Sequence, residues 1–383
     1  MNNTSYIELS KKAYKSNIRF LKKVVGKDVK ISSVIKGNAY GHGYEPIIKF
    51  AESSGINHFS VFSAYEAQQA FKFTSSKSDI MIFGFIPEDD FYWVIKNEIQ
   101  FYIFSYEGLE KTLKIAKQLN KKARIHLEIE TGFNRTGLEQ EEFDKTILLI
   151  LNNPKNVEIC GICTHFAGAE SIANYVRIQN QLNEFKDYYK YFTEKGINPK
   201  YTHTASSSAS LIYPDTRFNL VRIGIAQYGF WPTMEVLITR SNQFGDKESS
   251  LKRVISWKTE IMSIKKVSKG EFIGYGNSFQ APKDMLIAII PVGYNNGYSR
   301  SLSNRGHVLI HGKRADVIGV VTMNTISVNI TDIKSAAVGD EVILIGKHNK
   351  NKITVASFSE MSNNLNYQVL ARLPENIPRI VID

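Results

Sequence analysis

The sequence predicts an α/β chain in two parts, a barrel of alternating strands and helices followed by a mostly β domain, and three observations predict it. Short apolar, β-branched runs recur eight times before residue 226. Polar, helix-compatible stretches such as Tyr106–Leu119 and Tyr175–Lys195 separate most of them. Beyond Arg240 the runs stay β-rich and the links between them are turn residues. Strands that alternate with helices imply βαβ units and a parallel sheet. Eight of them in about 200 residues fit a closed (β/α)8 TIM-type barrel better than an open sheet. A chain of 383 residues has room for a second domain.

The eight barrel runs are Ile31–Lys36, His58–Ser63, Ile80–Phe85, Gln100–Ser105, Arg124–Glu130, Val157–Phe166, Tyr201–Ser206 and Leu220–Ile225. The last link, Ser206 to Leu220, is short for a crossover helix. In the second domain the runs are Val254–Val267, Met285–Val292, His307–Ile310, Asp316–Thr322, Ile326–Ile330 and Glu341–Ile345. Lys269-Gly270, Asn295-Asn296-Gly297 and His311-Gly312-Lys313 punctuate them. Near the start, Tyr6-Ile7-Glu8-Leu9 is also strand-like. The expected organisation is a barrel over residues 10–236 and a β-rich domain over 237–383, with residues 1–9 pairing with the latter.

Lys plus Arg outnumber Asp plus Glu by 48 to 37, a formal charge of +11. The lysines are dispersed, with no block of five or six like charges and no aromatic-plus-basic signature of an RNA-binding sheet. The excess reads as solvated surface, and no nucleic-acid partner is expected. The N-terminal segment is polar and lysine-rich, unlike a secretory signal, and the longest apolar run, near Met285–Val292, falls far short of the ~18 residues of a membrane span. The expectation is a cytoplasmic protein without a membrane partner. Cys160 and Cys163 are the two cysteines. A zinc site needs four ligands, and strand positions three apart point to opposite faces, so these read as small buried strand residues and no metal is expected.

In a barrel enzyme the active site lies where strands end. The first strand ends in Val34-Ile35-Lys36-Gly37-Asn38-Ala39-Tyr40-Gly41-His42-Gly43. A lysine at a desolvated strand end has its charged form disfavoured, and a neutral amine is what Schiff-base chemistry requires. Gly41 and Gly43 allow close backbone approach, while Tyr40 and His42 supply polar contacts.

This run closely resembles the lysine motif of the alanine racemase family of pyridoxal-phosphate (PLP) enzymes, with Gly37 in place of the usual alanine. The resemblance continues in order through Glu130–Gly137, Thr164–Ala167, Ser206–Ser210, Phe218–Gly229, Gly274-Tyr275-Gly276, Pro291–Tyr298, Met323, Asn366-Tyr367 and Ile377–Ile380, and so covers nearly the whole chain. It implies interconversion of L- and D-alanine by a homodimer. Lys36 would hold PLP as a Schiff base and act as one catalytic base. Tyr275, supplied by the other subunit, would be the base on the opposite face, assisted by a relay through His165 to Arg222. Arg222 would also hydrogen-bond the pyridine nitrogen, and an arginine has no proton to give up to that ring. Tyr40, Ser207, Gly224, Ile225 and Tyr367 would hold the phosphate. Arg135 would touch the PLP phenolic oxygen and the substrate carboxylate, and Met323 and Tyr294 would line the substrate site.

Two departures from the family pattern stand out. Glu128 occupies the place where many members carry a carbamylated lysine, and the reading here is that its carboxylate supplies a permanent charge partner for Arg135. Asn324 replaces the usual Asp after Met323. The rival readings are a broader-specificity amino-acid racemase, which Glu128 keeps open, and a non-catalytic PLP-binding protein, which the β-rich half argues against. A decarboxylase with a barrel plus β domain would not show the Tyr40–Gly43 run.

Overall fold

The structure is a computed structural model that describes residues 3–356 and 366–383. It divides into two compact units. The first comprises Ala13–Lys36 and Ile47–Lys252. The second comprises the residues up to Lys12, Gly37–Pro46 and Arg253–Asp383. The chain therefore leaves the first unit directly after Lys36 and re-enters it at Ile47.

Before the first unit begins, β1 (Ser5–Ser10) has already formed. The first unit then contributes β2 (Lys30–Val34), β3 (His58–Val61), β4 (Asp79–Ile82), β5 (Gln100–Ile103), β6 (Ala123–Glu128), β7 (Val157–Cys163), β8 (Tyr201–His203) and β9 (Leu220–Ile223). All eight expected barrel runs are strands. They form one sheet in the order β8-β7-β6-β5-β4-β3-β2-β9, and every pairing is parallel. The last strand pairs with the first, Ile31 opposite Val221. At the remaining seam the Thr202 N–H donates to Asn219 Oδ1 at 2.7 Å and the Arg222 N–H to Ala205 O at 2.9 Å, so the sheet closes. Strands such as β3, β5 and β9 are buried at every position, as expected where one face meets helices and the other the barrel interior.

The intervening helices follow from local chemistry. Tyr106–Leu119 starts where the Ser105 hydroxyl accepts from the Gly108 N–H at 3.1 Å, and it ends at Asn120 in the left-handed region. Its buried residues, Leu109, Thr112, Leu113 and Ala116, recur every three or four positions and make one stripe. The short last link holds only a one-and-a-half-turn helix, Ser207–Ile212, and a 3-10 turn at Pro214–Thr216.

The second unit contains β10 (Ile255–Glu260), β11 (Ser263–Val267), β12 (Met285–Ile290), β13 (His307–Ile310), β14 (Lys313–Ile318), β15 (Ile326–Asn329), β16 (Glu341–His348), β17 (Asn351–Ile353) and β18 (Arg379–Ile382). They order as β11-β12-β15-β14-β13-β16-β10-β1-β18, with β17 on β16. The strand near the N-terminus joins this sheet, antiparallel to β10 and parallel to β18. The expected run Val254–Val267 is two strands, split at Ile261-Met262.

Among the described residues, no helix is long and apolar enough to cross a membrane. Cys160 and Cys163 are free thiols buried in β7, and burial pushes the Cys160 thiol up to about 12, which leaves it unreactive.

Candidate active site

Lys36 follows the end of β2 after one further apolar residue, Ile35. Two side chains hold that strand end: Gln227 Nε2 and the Tyr228 hydroxyl both donate to Val34 O at 2.9 Å. The Lys36 side chain keeps contact with solvent, yet its pKa is lowered, first by the desolvation of its ammonium and then by the charge of Arg135, with Glu66 opposing. The ammonium lies 5.5 Å from the centre of the Phe83 ring. Lowering favours the neutral amine, the form that attacks a carbonyl.

From Gly37 to Gly41 the backbone runs through five consecutive left-handed residues, including Asn38, Ala39 and Tyr40 at φ between 51° and 53°. The turn is tied by Gly41 N–H to Gly37 O and Gly43 N–H to Asn38 O, each 2.9 Å. Left-handed backbone costs a residue with a Cβ about 1–2 kcal/mol, so the surroundings must enforce it. Within the second unit, the Arg379 guanidinium donates to Gly41 O at 2.8 and 3.2 Å, and His42 Nδ1 faces Tyr40 O at 2.9 Å. A Cβ at Gly41 would stand 2.1 Å from Leu370 O, which explains the glycine. The Tyr40 ring packs on Tyr367, centroids 6.1 Å apart.

Around the barrel, β6, β7, β8 and β9 bring Glu128, His165, His203 and Arg222 together. The Arg222 guanidinium is buried. Nη1 meets His203 Nδ1 at 2.6 Å and His203 O at 2.9 Å. Nη2 meets Thr164 O and Thr204 O at 3.0 Å and His165 Nδ1 at 3.3 Å. No described residue accepts from Nε. Because arginine only donates, His165 Nδ1 is an acceptor and its proton is on Nε2. Burial, then the Arg222 charge, lowers the His165 pKa to about 3, so the ring is neutral.

Ser207 Oγ accepts from the Gly224 N–H at 2.9 Å. Gly224 is thus already bonded within the barrel, while the Ile225 N–H, first in the turn Ile225–Tyr228, has no carbonyl of that turn to reach. Arg135 is exposed and lies over the Phe133 ring, 4.4 Å from its centroid. The turn before it is organised by the Glu130 carboxylate, which accepts the N–H groups of Gly132, Phe133 and Asn134.

Glu128, expected as the charge partner of Arg135, makes no direct salt bridge with it among the described residues. Glu128 is only 4% exposed, and its Oε2 has no hydrogen-bond partner among the described residues. Burial raises its pKa to about 7, against the opposing hydrogen bond of Thr136 and the charges of Arg222 and Arg135. The charge is therefore not permanent near neutral pH. Glu128 is buried at the end of β6, while Arg135 is exposed and stacked on Phe133.

In the second unit, Tyr275 stands 76% exposed between Gly274 and Gly276. Met323 and Tyr294 are exposed on neighbouring loops, joined by the Tyr294 N–H to Thr322 O and Asn295 N–H to Met323 O bonds at 3.0 Å. Sequence reading missed His203 and Gln227. A histidine closing the run Tyr201-Thr202-His203 at a barrel strand end was the available signal for the first; nothing in the local pattern marks the second.

A parallel eight-stranded barrel with a lysine of lowered pKa at its first strand end, joined in sequence to a β-rich unit, defines the class of barrel-type PLP enzymes that carry a second domain. The comparisons agree. "Alanine racemase, N-terminal domain" matches residues 9–232 and "Alanine racemase, C-terminal domain" matches residues 254–381. The chain is 33% identical over 382 residues to the alanine racemase of Leptospira interrogans, covering 99% of this chain and 96% of that one. It is similar to the crystal structure of alanine racemase from Bacillus anthracis with bound L-Ala-P, at TM-score 0.91 and 29% identity over 100% of this chain and 96% of that one. It is also similar to alanine racemase from Bartonella henselae with covalently bound pyridoxal phosphate, at TM-score 0.85 and 27% identity over 99% and 100% of the two chains. The chain belongs to the alanine racemase family, a family of PLP-dependent racemases.

Proposed function

We propose that the protein interconverts L- and D-alanine by moving the α-proton between two bases on opposite faces of the substrate, Lys36 and the partner subunit's Tyr275. The observation that carries the reading is the state of Arg222, on the strand paired with the one that leads to Lys36: its Nη groups are spent on protein acceptors, and among the described residues Nε–H alone is left to donate. A pyridine nitrogen, an acceptor without a proton to share, fits that donor. Lys36 would hold the cofactor through its amine; Tyr40, Ser207, Ile225 and Tyr367 would hold its phosphate, with Gly224 contributing through its bond to Ser207. When bound, PLP supplies a ring that acidifies the amino acid's α C–H.

The chain's own groups do the rest. Lys36, with its charged form already disfavoured, holds or releases the proton on one face. A phenol has a pKa near 10 and needs support to act as a base. His165 gives it through Nε2–H, since its Nδ1 is committed to Arg222, and a neutral donor stabilises a phenolate without trapping its proton. Arg135 would clamp the substrate carboxylate, a task its guanidinium suits, with Glu128 acting on it through space or through a bridging water. The exposed loop cluster of Tyr275, Tyr294 and Met323 fits residues offered to a partner, hence a homodimer. Its product would supply D-alanine for cell-wall peptidoglycan, and the cytoplasm is the proposed compartment.

Borohydride reduction of the cofactor-loaded protein followed by peptide mass analysis should place the label on Lys36; a label elsewhere, or none, would overturn the cofactor assignment. Glu128 favours one rival, a broader-specificity racemase. Single-enantiomer assays over a panel of amino acids separate the two, since turnover of lysine or arginine equal to that of alanine would reject the narrow reading.

A further inference from the structure

Behind Arg222 a hydrogen-bonded chain crosses the barrel interior on side chains from five strands. Arg222 Nη1 meets His203 Nδ1 at 2.6 Å, His203 Nε2 meets His126 Nδ1 at 2.8 Å, and His126 Nε2 meets Gln100 Oε1 at 2.8 Å. From the other side His58 Nε2 reaches the same Gln100 oxygen at 3.2 Å, and its Nδ1 meets Ser32 Oγ at 2.8 Å. The three histidines, Gln100 and Ser32 are fully buried.

The proton positions follow from one fact: Arg222 only donates. His203 Nδ1 must then accept, so its proton is on Nε2 and is given to His126 Nδ1. His126 in turn carries its proton on Nε2 and gives it to Gln100. The glutamine can face the chain only through its oxygen, because its amide nitrogen there would leave His126 with no proton on either ring nitrogen. The Gln100 Nε2 is consequently buried without a partner among the described residues, a cost that the fold carries rather than relieves.

Space has been cleared for this chain. A Cβ at Gly161 would stand 2.2 Å from His126 Nδ1, and the β6–β7 register shifts between Ile125 and His126, opposite this glycine. This is the part that the Cys160-Gly161-Ile162-Cys163 segment plays.

We propose that His203, His126, Gln100 and His58 are positioning residues for Arg222, a proton-locked strut that fixes the His203 lone pair on the guanidinium and ends at Gln100 so that no proton passes along it. The proposal rests on Arg222 facing the cofactor. A conducting wire needs every member to donate in one direction, whereas here both arms donate into one amide oxygen. The charged and titratable groups around the strut are Arg222 at one end and Asp79, Lys30 and Arg124 at the other, with Tyr102 and Tyr201 against the rings. Burial leads, and His58, Arg124 and Arg222 add, in lowering the His126 pKa.

The test uses nitrogen-15 NMR of histidine-labelled protein without cofactor, together with cofactor affinity of variants. His126 and His203 should both show the neutral Nε2–H form from about pH 8 down to about pH 5.5; a cation or an Nδ1–H form on either at pH 7 would overturn the locked strut. His203→Leu should weaken cofactor affinity at least tenfold, and His203→Asn, whose oxygen can replace Nδ1, should stay within about twofold of the parent. Equal affinity in all three would overturn the positioning role. Should His203→Leu fail to fold, Gly161→Ala takes its place, with the same tenfold loss expected and unchanged affinity counting against the role. Borohydride labelling that misses Lys36 would instead overturn the cofactor reading and leave the NMR result standing.

Discussion

Glu128→Gln is the perturbation whose size the structure sets most directly. The residue is 4% exposed, one carboxyl oxygen has no hydrogen-bond partner among the described residues, and burial raises its pKa from 4.5 to about 7. A folded-state pKa above the unfolded one means that stability is fully present below pH 4.5 and is lost as pH rises through about 7. At 1.36 kcal/mol per pH unit, the loss amounts to about 3 kcal/mol once the group is ionised. Glutamine keeps the shape and cannot ionise. The stability of Glu128→Gln relative to the parent should therefore rise with pH, by about 1 kcal/mol at pH 5.5 and about 3 kcal/mol by pH 8, relative to pH 4. Urea unfolding of the cofactor-free protein at these pH values measures the difference directly. A difference that stays constant with pH would refute the reasoning, because the carboxyl would then titrate alike in the folded and unfolded chain.

Other outcomes follow from the same geometry. Glu128→Gln should lower catalytic efficiency mainly above pH 7, where the parent carries the charge; full activity and cofactor affinity at every pH would remove Glu128 from the site. Cofactor capture by the cofactor-free protein should accelerate as pH rises, with a midpoint below the 10.5 of an ordinary lysine; stopped-flow absorbance gives it, and a midpoint at or above that value would remove the desolvation argument. Gly41→Ala places a Cβ 2.1 Å from Leu370 O at φ +76° and should destabilise the fold by more than about 2 kcal/mol while weakening cofactor affinity; a calorimetric melt unchanged from the parent would count against the packing described.

Much of this fold is legible in the sequence because the barrel strands are buried on both faces and so carry apolar runs, as Ile80-Met81-Ile82 does. Lys36, His165 and Arg222 are legible for a different reason: their motifs are local. What the sequence hides is non-local. That residues 37–46 group with the β-rich unit depends on contacts such as Arg379 with Gly41, some 340 residues apart. The left-handed turn at Asn38-Ala39-Tyr40 breaks the preference of each residue and is enforced from outside it. His203, His126 and His58 lie on three strands well separated in sequence, and only barrel closure brings them into one chain. Glu128 is legible as a departure from the family pattern. Its burial is not, because that depends on how neighbouring strands and the following turn pack over the carboxyl.

Tyr275→Phe tests the central claim most directly. With two bases on opposite faces, losing the phenol should nearly abolish racemisation while Lys36 still holds the cofactor. In deuterium oxide the variant should still exchange the α-proton of one enantiomer of alanine and lose exchange of the other. Exchange of both enantiomers at the parent's rate, or racemisation left intact, would contradict the account.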